Sequence, residues 1–471
     1  MDTATQIDHL KQLFKSQKAA FNKSPFPDYR KRLNNLNKLK SLLLDNQQQF
    51  IEALNKDFGN RSADDSKIGD ILTSVSGINY NISNLKRWMK PEKRHVSVLF
   101  QPAKARVEYQ PLGVVGILVP WNYPVFLALG PLAAALAAGN RAIIKMSEFT
   151  PNTTALLTKL VTSHFDEDEV SVVGGEAEVA SVFSSLTFDH IFFTGSTAVG
   201  KLVMKAAAEN LVPVTLELGG KSPAIIDKKM SIKTAVERLI LGKTLNSGQT
   251  CVAPDYILCP KGKVQELSDE LANSFNKMFP GINENNDYTS VVNDGQYNRL
   301  INLIADAKAK GASVRELAIN PECQKSRQLP LTLITNISND MTVMQEEIFG
   351  PILPIIEYDT IEQAISYVND RDRPLALYIY SFDKKLQQQI IKQTHAGGVC
   401  INDAAFHVAV DDLPFGGVGP SGMGSYHGEE GFKTFSHAKS ILSRGKISFT
   451  PMLFPPYGTF IHNLVYKLFI R

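Results

Sequence analysis

The sequence predicts an α/β protein with a doubly wound parallel sheet, a second α/β domain and a small β arm. Three observations predict it. From Gly113 onward, continuous apolar runs alternate with turn residues and helix-like segments. A second series of the same kind starts after Glu217. Ahead of the first series, residues 96–109 carry apolar side chains on alternate positions around a turn, the pattern of an excursion hairpin. Strands buried on both faces and alternating with helices build a parallel sheet.

The elements follow in order. Residues up to about Lys90 space Leu and Ile among Lys, Asn and Gln and predict helices with one polar face. Val96, Val98 and Phe100, then Val107 and Tyr109, form the two runs of the hairpin, turning at Gln101-Pro102-Ala103-Lys104. Val114 to Val119 is a strand ending at Pro120, followed by an Ala-rich helix that Gly139-Asn140 closes. Ala142 to Lys145 is the next strand, and Thr150-Pro151-Asn152 opens the helix after it. Ser171-Val172-Val173 stops at Gly174-Gly175, and His190 to Phe193 stops at Thr194-Gly195-Ser196. The second series comprises Ala224-Ile225-Ile226, a long helix, Tyr256-Ile257-Leu258, Leu331 to Ile334 and Ile352 to Ile356. From Ile447 the chain turns Pro-rich and aromatic.

Composition narrows the function. A chain of 471 residues exceeds one ordinary core and predicts two or three domains. Lys plus Arg number 50 against 47 Asp plus Glu, so no basic stripe calls for nucleic acid. The four cysteines, Cys251, Cys259, Cys323 and Cys400, show no C-x-x-C spacing; neither a metal site nor a disulfide framework is expected, and a reducing, cytoplasmic setting is favoured. The first residues lack the basic and apolar regions of a signal peptide. Val125 to Ala138 is too short to span a bilayer, which takes roughly 20 residues, and reads as a buried helix.

Chemistry concentrates in a few motifs. Cys251 sits in Asn246-Ser247-Gly248-Gln249-Thr250-Cys251, where small residues give an electrophile and backbone N–H groups access to the sulfur. A free cysteine alone is more often a buried structural thiol. Glu217, in Leu216-Glu217-Leu218-Gly219-Gly220, offers a candidate base from a separate segment. Asn122, in Pro120-Trp121-Asn122-Tyr123-Pro124, follows a strand's C-terminal end, and its amide suits an oxyanion hole, although a lone Asn there is usually a turn or cap. Thr194-Gly195-Ser196-Thr197 leads from strand to helix and lets a pyrophosphate approach the helix N-terminus, though a plain tight turn is as common. Lys145 and Glu148, at the end of the preceding strand, suit a ribose or phosphate; the alternative is a surface ion pair. Glu347 and Phe349, in Glu347-Ile348-Phe349-Gly350-Pro351, suit gripping a ribose and packing near a nicotinamide ring, although with Glu346 alongside the motif also reads as simple surface charge. Trp121 and Leu218 complete the expected cofactor-binding set. His407 and His427 stand apart from other candidate ligands and read as structural.

These motifs, in this order and over about residues 10–445, resemble the aldehyde dehydrogenase superfamily. Arg373 to Tyr378, Leu413-Pro414-Phe415-Gly416-Gly417-Val418-Gly419 and Ser421 to Gly428 look like its class 3 branch, which includes fatty, medium-chain and coniferyl aldehyde dehydrogenases. The stretch from Ile401-Asn402-Asp403 to Asp412 is similar to the bacterial coniferyl type. The resemblance implies NAD(P)+-dependent oxidation of an aromatic or aliphatic aldehyde to its acid. Cys251 would form a thiohemiacetal and then a thioester, Asn122 would hold the oxyanion, and Glu217 would activate water. NAD is expected, with NADP as an alternative. The runner-up readings are a membrane-associated fatty aldehyde dehydrogenase and a non-catalytic NAD-binding member. Met146 stands where the family usually has proline, a change expected to loosen the loop presenting Ser147 and Glu148.

The expected organisation is a Rossmann-like dinucleotide-binding domain (1–94, 113–216 and 401–426), a catalytic domain (217–400), an oligomerisation arm (95–112 and 427–447) that builds a homodimer, and a tail (448–471). The tail from Phe460 is too short to span a membrane. Having few basic residues, it is expected to pack on the body rather than lie in a lipid interface.

Overall fold

Three sheets organise the chain in a computed structural model that describes residues 2–282, 286–318 and 326–470. Cys323 lies outside the described residues. After four long N-terminal helices come strands β1 (Glu92–Arg94) and β2 (Lys104–Pro111). The first α/β series supplies β3 (Val114–Leu118), β4 (Arg141–Lys145), β5 (Val170–Val173), β6 (His190–Thr194) and β7 (Val214–Glu217). The second supplies β8 (Pro223–Ile226), β9 (Tyr256–Pro260), β10 (Ser313–Glu316), β11 (Thr332–Thr335), β12 (Ile352–Tyr358), β13 (Ala376–Tyr380) and β14 (Gly398–Ile401). Two further strands, β15 (Gly422–Met423) and β16 (Ser436–Ser443), precede the tail.

One sheet runs β15-β7-β6-β3-β4-β5, parallel except for β15. The chain moves outward through β3, β4 and β5, then returns to the other side of β3 with β6. That reversal opens a crevice beyond the carboxyl ends of β3 and β6, where doubly wound sheets bind ligands. The loops carrying Asn122 and Gly195 leave from those two ends. The second sheet runs β10-β11-β12-β9-β8-β13-β14, with only β10 antiparallel. The Ala-rich helix Pro124–Ala138 is buried along nearly its whole length. It starts with Pro124 at its first position and ends at Gly139, whose φ of +91° suits a residue without Cβ.

The arm is the third sheet, β1-β2-β16, with β16 antiparallel to all eight residues of β2. Two details correct the sequence reading. The first hairpin strand is Glu92–Arg94, paired with Val107, Arg106 and Ala105, while Val98–Phe100 forms a 3-10 turn whose apolar side chains are exposed. Residues 428–434 form a helix against the body, with Gly431 and Phe432 buried, so the returning strand begins only at Ser436.

The tail also departs from expectation. Helix Phe460–Phe469 is capped by Thr459 and His462 but is not laid on the body. Phe460, Leu464, Leu468 and Ile470 are exposed and only His462 is buried. Pro451, Pro455, Pro456 and Gly458 allow only a short turn before the helix, so no strand or long helix folds it back. No helix among the described residues is long and apolar enough to cross a membrane.

Candidate active site

The nucleophile loop is unusual from its backbone upward. Asn246, Ser247 and Gly248 have φ of 50°, 53° and 71°, three left-handed residues in a row. For two non-glycine residues this conformation is costly and persists only where the surroundings impose it. The surroundings do: all three are buried, Asn246 N–H donates to Asp65 Oδ2 at 3.0 Å, and a Cβ at Gly248 would stand 2.6 Å from the carbonyl oxygen of Gly350. The loop delivers Cys251 half-buried to a junction between two cavities.

The first cavity, of about 360 Å³, is walled by Tyr123, Phe126, Leu127, Leu245, Phe415 and Tyr426 among others, an apolar pocket of ligand size. The second, of about 630 Å³, is lined by Trp121, Gly195, Ser196, Gly219, Glu347 and Phe349. Asn122, Thr194, Glu217 and Cys251 line both. Four segments that are remote in sequence thus meet where an aldehyde and a planar cofactor would touch.

Each candidate residue has a definite place. Asn122 is buried, its Nδ2 donates to Gln249 O at 3.2 Å, and its Oδ1 has no partner. An amide nitrogen carries two donors, so one is left for an oxygen arriving at Cys251. Glu217 ends β7 with both carboxyl oxygens buried and unpartnered, and burial holds its pKa well above the carboxylate range. Burial, then Glu347 and Glu217, push the Cys251 thiol up to about 12, while the N–H groups of Cys251 and Val252 favour the thiolate.

On the cofactor side, Ser196 caps helix Thr197–Ala208 by accepting from Val199 N at 3.4 Å, which leaves the helix N-terminus facing the second cavity. Glu347 lies against the Gly219-Gly220 turn: a Cβ on Gly219 would be 2.1 Å from its Oε2, and Gly220 N–H donates to it. Burial and then Asp255 raise Glu347 to about 8. Phe349, at φ 47°, sets its ring edge-on to Trp121 with centroids 5.1 Å apart. This cradle of small residues, a helix N-terminus and aromatic rings fits a dinucleotide. Lys145 and Glu148 sit one strand further out and line neither of these two cavities. Lys145 is buried, donates to Gly175 O at 2.5 Å and lies 3.6 Å from Glu148 Oε2. Leu218 lines the aldehyde cavity rather than the cofactor cavity and packs under Gly200. Met146 does not loosen its loop: it is fully buried, and its N–H, which proline would lack, donates to Val173 O at 3.0 Å and extends the β4–β5 ladder. His407 and His427, read as isolated, flank the ring of Phe415 at 6.1 and 5.3 Å, and burial pushes both down to about 4.

The sequence reading missed Arg61, Asp65 and Asp70, which are buried behind the Asn122 loop. Only their density of charge in an otherwise amphipathic helical region marked them.

The fold and this site define a cysteine-dependent oxidoreductase with a dinucleotide cleft, and the comparisons say which. Residues 2–441 match the aldehyde dehydrogenase family, and the chain belongs to it. It is 53% identical to the probable coniferyl aldehyde dehydrogenase of Pseudomonas aeruginosa, over 99% of this chain and 97% of that protein. Staphylococcus aureus AldH in its substrate-bound state superposes with a TM-score of 0.93 at 38% identity, covering 98% of this chain and 99% of that one. The aldehyde dehydrogenase of Mycobacterium tuberculosis complexed with NAD+ gives 0.84 at 31% identity, covering 92% and 90%. The chain is an NAD(P)-dependent aldehyde dehydrogenase.

Proposed function

We propose that the chain oxidises a hydroxycinnamaldehyde of the coniferyl type to its carboxylic acid, with Cys251, Asn122 and Glu217 as the reacting groups. The observation that carries this is their convergence, with Thr194, at the junction of the two cavities. The aromatic walls of the first cavity suit a flat phenylpropenal, and the Pseudomonas aeruginosa relative is named for coniferyl aldehyde. Cys251 sulfur attacks the carbonyl carbon, and the new oxyanion is held by Asn122 Nδ2 and the Cys251 N–H. NAD+, when bound, supplies the hydride acceptor. Loss of hydride from the thiohemiacetal carbon leaves a thioester on Cys251. Glu217 then takes a proton from water, whose oxygen attacks the thioester and releases the acid; the departing Cys251 thiolate recovers that proton from Glu217. Because Glu217 is buried and lines the cofactor cavity, water that enters there lets it ionise and act as the base.

Trp121, Gly195, Ser196, Glu347 and Phe349 form the cofactor cleft in this reading. Lys145 and Glu148 reach the adenosine ribose once the cofactor parts their ion pair. Residues 1–94, 113–216 and 401–426 serve as the cofactor domain and 217–400 as the catalytic domain. The arm joins two copies into a homodimer, because the long edge of β16 is otherwise left unpaired. Free Cys251, Cys259 and Cys400 suit the reducing cytoplasm. The test is an activity panel of coniferyl, benzaldehyde-type and long-chain aldehydes with NAD+ and NADP+. A kcat/KM for coniferyl aldehyde below that for the long-chain aldehydes overturns the substrate assignment.

One observation favours a second reading, membrane-associated oxidation of long-chain aldehydes: the tail helix exposes Phe460, Leu464, Leu468 and Ile470. Flotation with liposomes that is lost on deleting residues 460–471 would select it.

A further inference from the structure

Behind the reacting groups lies a set of charges that the reaction does not use directly. Arg61, Asp65 and Asp70 are all buried, Arg61 and Asp70 almost completely. Asp70 stands on a π-helical turn, Lys67–Leu72, a form that is rare and tends to occur at functional sites. Its Oδ1 accepts from the N–H groups of Val125 and Phe126, each at 3.0 Å, and so fixes the start of helix Pro124–Ala138. Its Oδ2 is 2.9 Å from Arg61. Arg61 donates in turn to the backbone oxygen of Asn122 at 2.9 Å. That same oxygen accepts from Asn246 Nδ2 at 3.0 Å, and Asp65 holds the Asn246 N–H. The guanidinium is clamped between the rings of Phe58 and Tyr123, each 4.8 Å away, and the Tyr123 hydroxyl reaches Thr250 Oγ1 at 3.3 Å.

Taking such charges out of water costs several kcal/mol per ion, and well-packed apolar residues often replace a buried pair without loss of stability. Stability alone is therefore a weak reason for this cluster. What distinguishes it is where it converges: on the one carbonyl shared by the Asn122 loop and the loop that carries Cys251.

We propose that Arg61 is a positioning residue for the oxyanion site, a forked clamp that ties Asn122 to the nucleophile loop. The fork is what matters. Arginine presents several donors in one plane, so it bonds Asn122 O while facing Asp70, and the carboxylate in turn anchors the helix that follows Asn122. A lysine keeps the charge beside Asp70 but cannot hold both partners in that geometry. The proposal rests on the role given to Asn122, and the experiment separates the two.

Arg61→Lys, Asn122→Ala and the double variant are compared by the rate of the NADH burst with coniferyl aldehyde, by NAD+ affinity and by melting temperature. Arg61→Lys is expected to slow the burst on the order of tenfold to a hundredfold, less than the hundredfold to thousandfold of deleting an oxyanion donor outright. NAD+ affinity is expected to stay within about twofold of the wild type, and the melting temperature should not fall in proportion to the rate. In the Asn122→Ala background the same substitution is expected to cost no more than about twofold, because the group it positions is gone. An undiminished burst in Arg61→Lys, or an equal loss with and without Asn122, overturns the clamp. Should Arg61→Lys fail to fold, Asp70→Asn is carried through the same cycle, and the same two outcomes decide. A wild-type burst in Asn122→Ala alone overturns the reading of Asn122 instead.

Discussion

Replacing Glu217 with glutamine tests the second half of the reaction, and the structure says what else the change should and should not do. The carboxyl makes no hydrogen bond, so an isosteric amide forfeits none. Removing a general base typically costs about a hundredfold to ten-thousandfold in rate, roughly 3 to 5 kcal/mol of barrier. Steady-state turnover should fall by that factor. A single burst of one NADH per subunit should remain, because attack and hydride loss do not use Glu217. A quenched sample should carry the acyl group on Cys251. The pH behaviour carries a sign. The folded pKa of Glu217 is raised above its model-peptide value of 4.5, so its share of stability is complete below 4.5 and is lost as pH climbs through the raised value. Relative to wild type, Glu217→Gln should therefore gain stability as pH rises, and the wild-type hydrolysis rate should rise over the same range as the base ionises. Melting curves and stopped-flow absorbance between about pH 5 and 9, roughly two units either side of neutrality, read both. Undiminished turnover would refute the role of Glu217 as base, and loss of the burst would move Glu217 to the activation of Cys251.

Cys251→Ala should abolish oxidation while NAD+ binding, followed by quenching of the Trp121 fluorescence, stays near normal; retained turnover would make the thiol structural. Gly219→Ala should raise the KM for NAD+ at least tenfold, roughly 1.4 kcal/mol, because its Cβ would land 2.1 Å from Glu347 Oε2 and displace that side chain. Glu148→Gln should improve kcat/KM with NADP+ by about tenfold, through loss of a like charge near a 2′-phosphate; an unchanged NADP+/NAD+ ratio would show that Glu148 faces elsewhere. Light scattering should find a dimer that becomes a monomer when residues 436–443 are deleted.

Much of this site was legible because its chemistry lies in short segments. The left-handed loop before Cys251 needs small residues, and Asn246-Ser247-Gly248 announces it. Strand ends announce Asn122 and Glu217, since a run buried on both faces must stop where the chain leaves the sheet. What escaped lies in relations between distant segments. Arg61 looked like one more polar-face residue of a helix until the fold set it beneath Asn122. Leu218 shares a motif with Glu217, yet Glu217 lines both cavities while Leu218 lines only the first and packs under Gly200. Proline's absence at 146 suggested a looser loop because the sequence could not show that a ladder partner, Val173 O, was waiting for the N–H. For the tail, the scarcity of basic residues suggested packing on the body, but nothing in composition supplies a surface for it to lie on.

The placement of the reacting groups also explains how one centre can run two opposed steps. Hydride loss needs water excluded, since a free thioester or oxyanion would otherwise be attacked or quenched early. Hydrolysis needs water admitted and a base to activate it. In the proposed reaction Glu217 meets both demands by being buried at the end of β7 with no hydrogen-bond partner among the described residues, where burial holds its pKa well above the carboxylate range. Burial, then Glu347 and Glu217, disfavour the charge of the Cys251 thiol as well. In the proposed reaction, occupation of the cofactor cavity acts on the two groups in opposite senses. A filled cleft favours the thiolate, and an emptied one admits the water that turns Glu217 into a base.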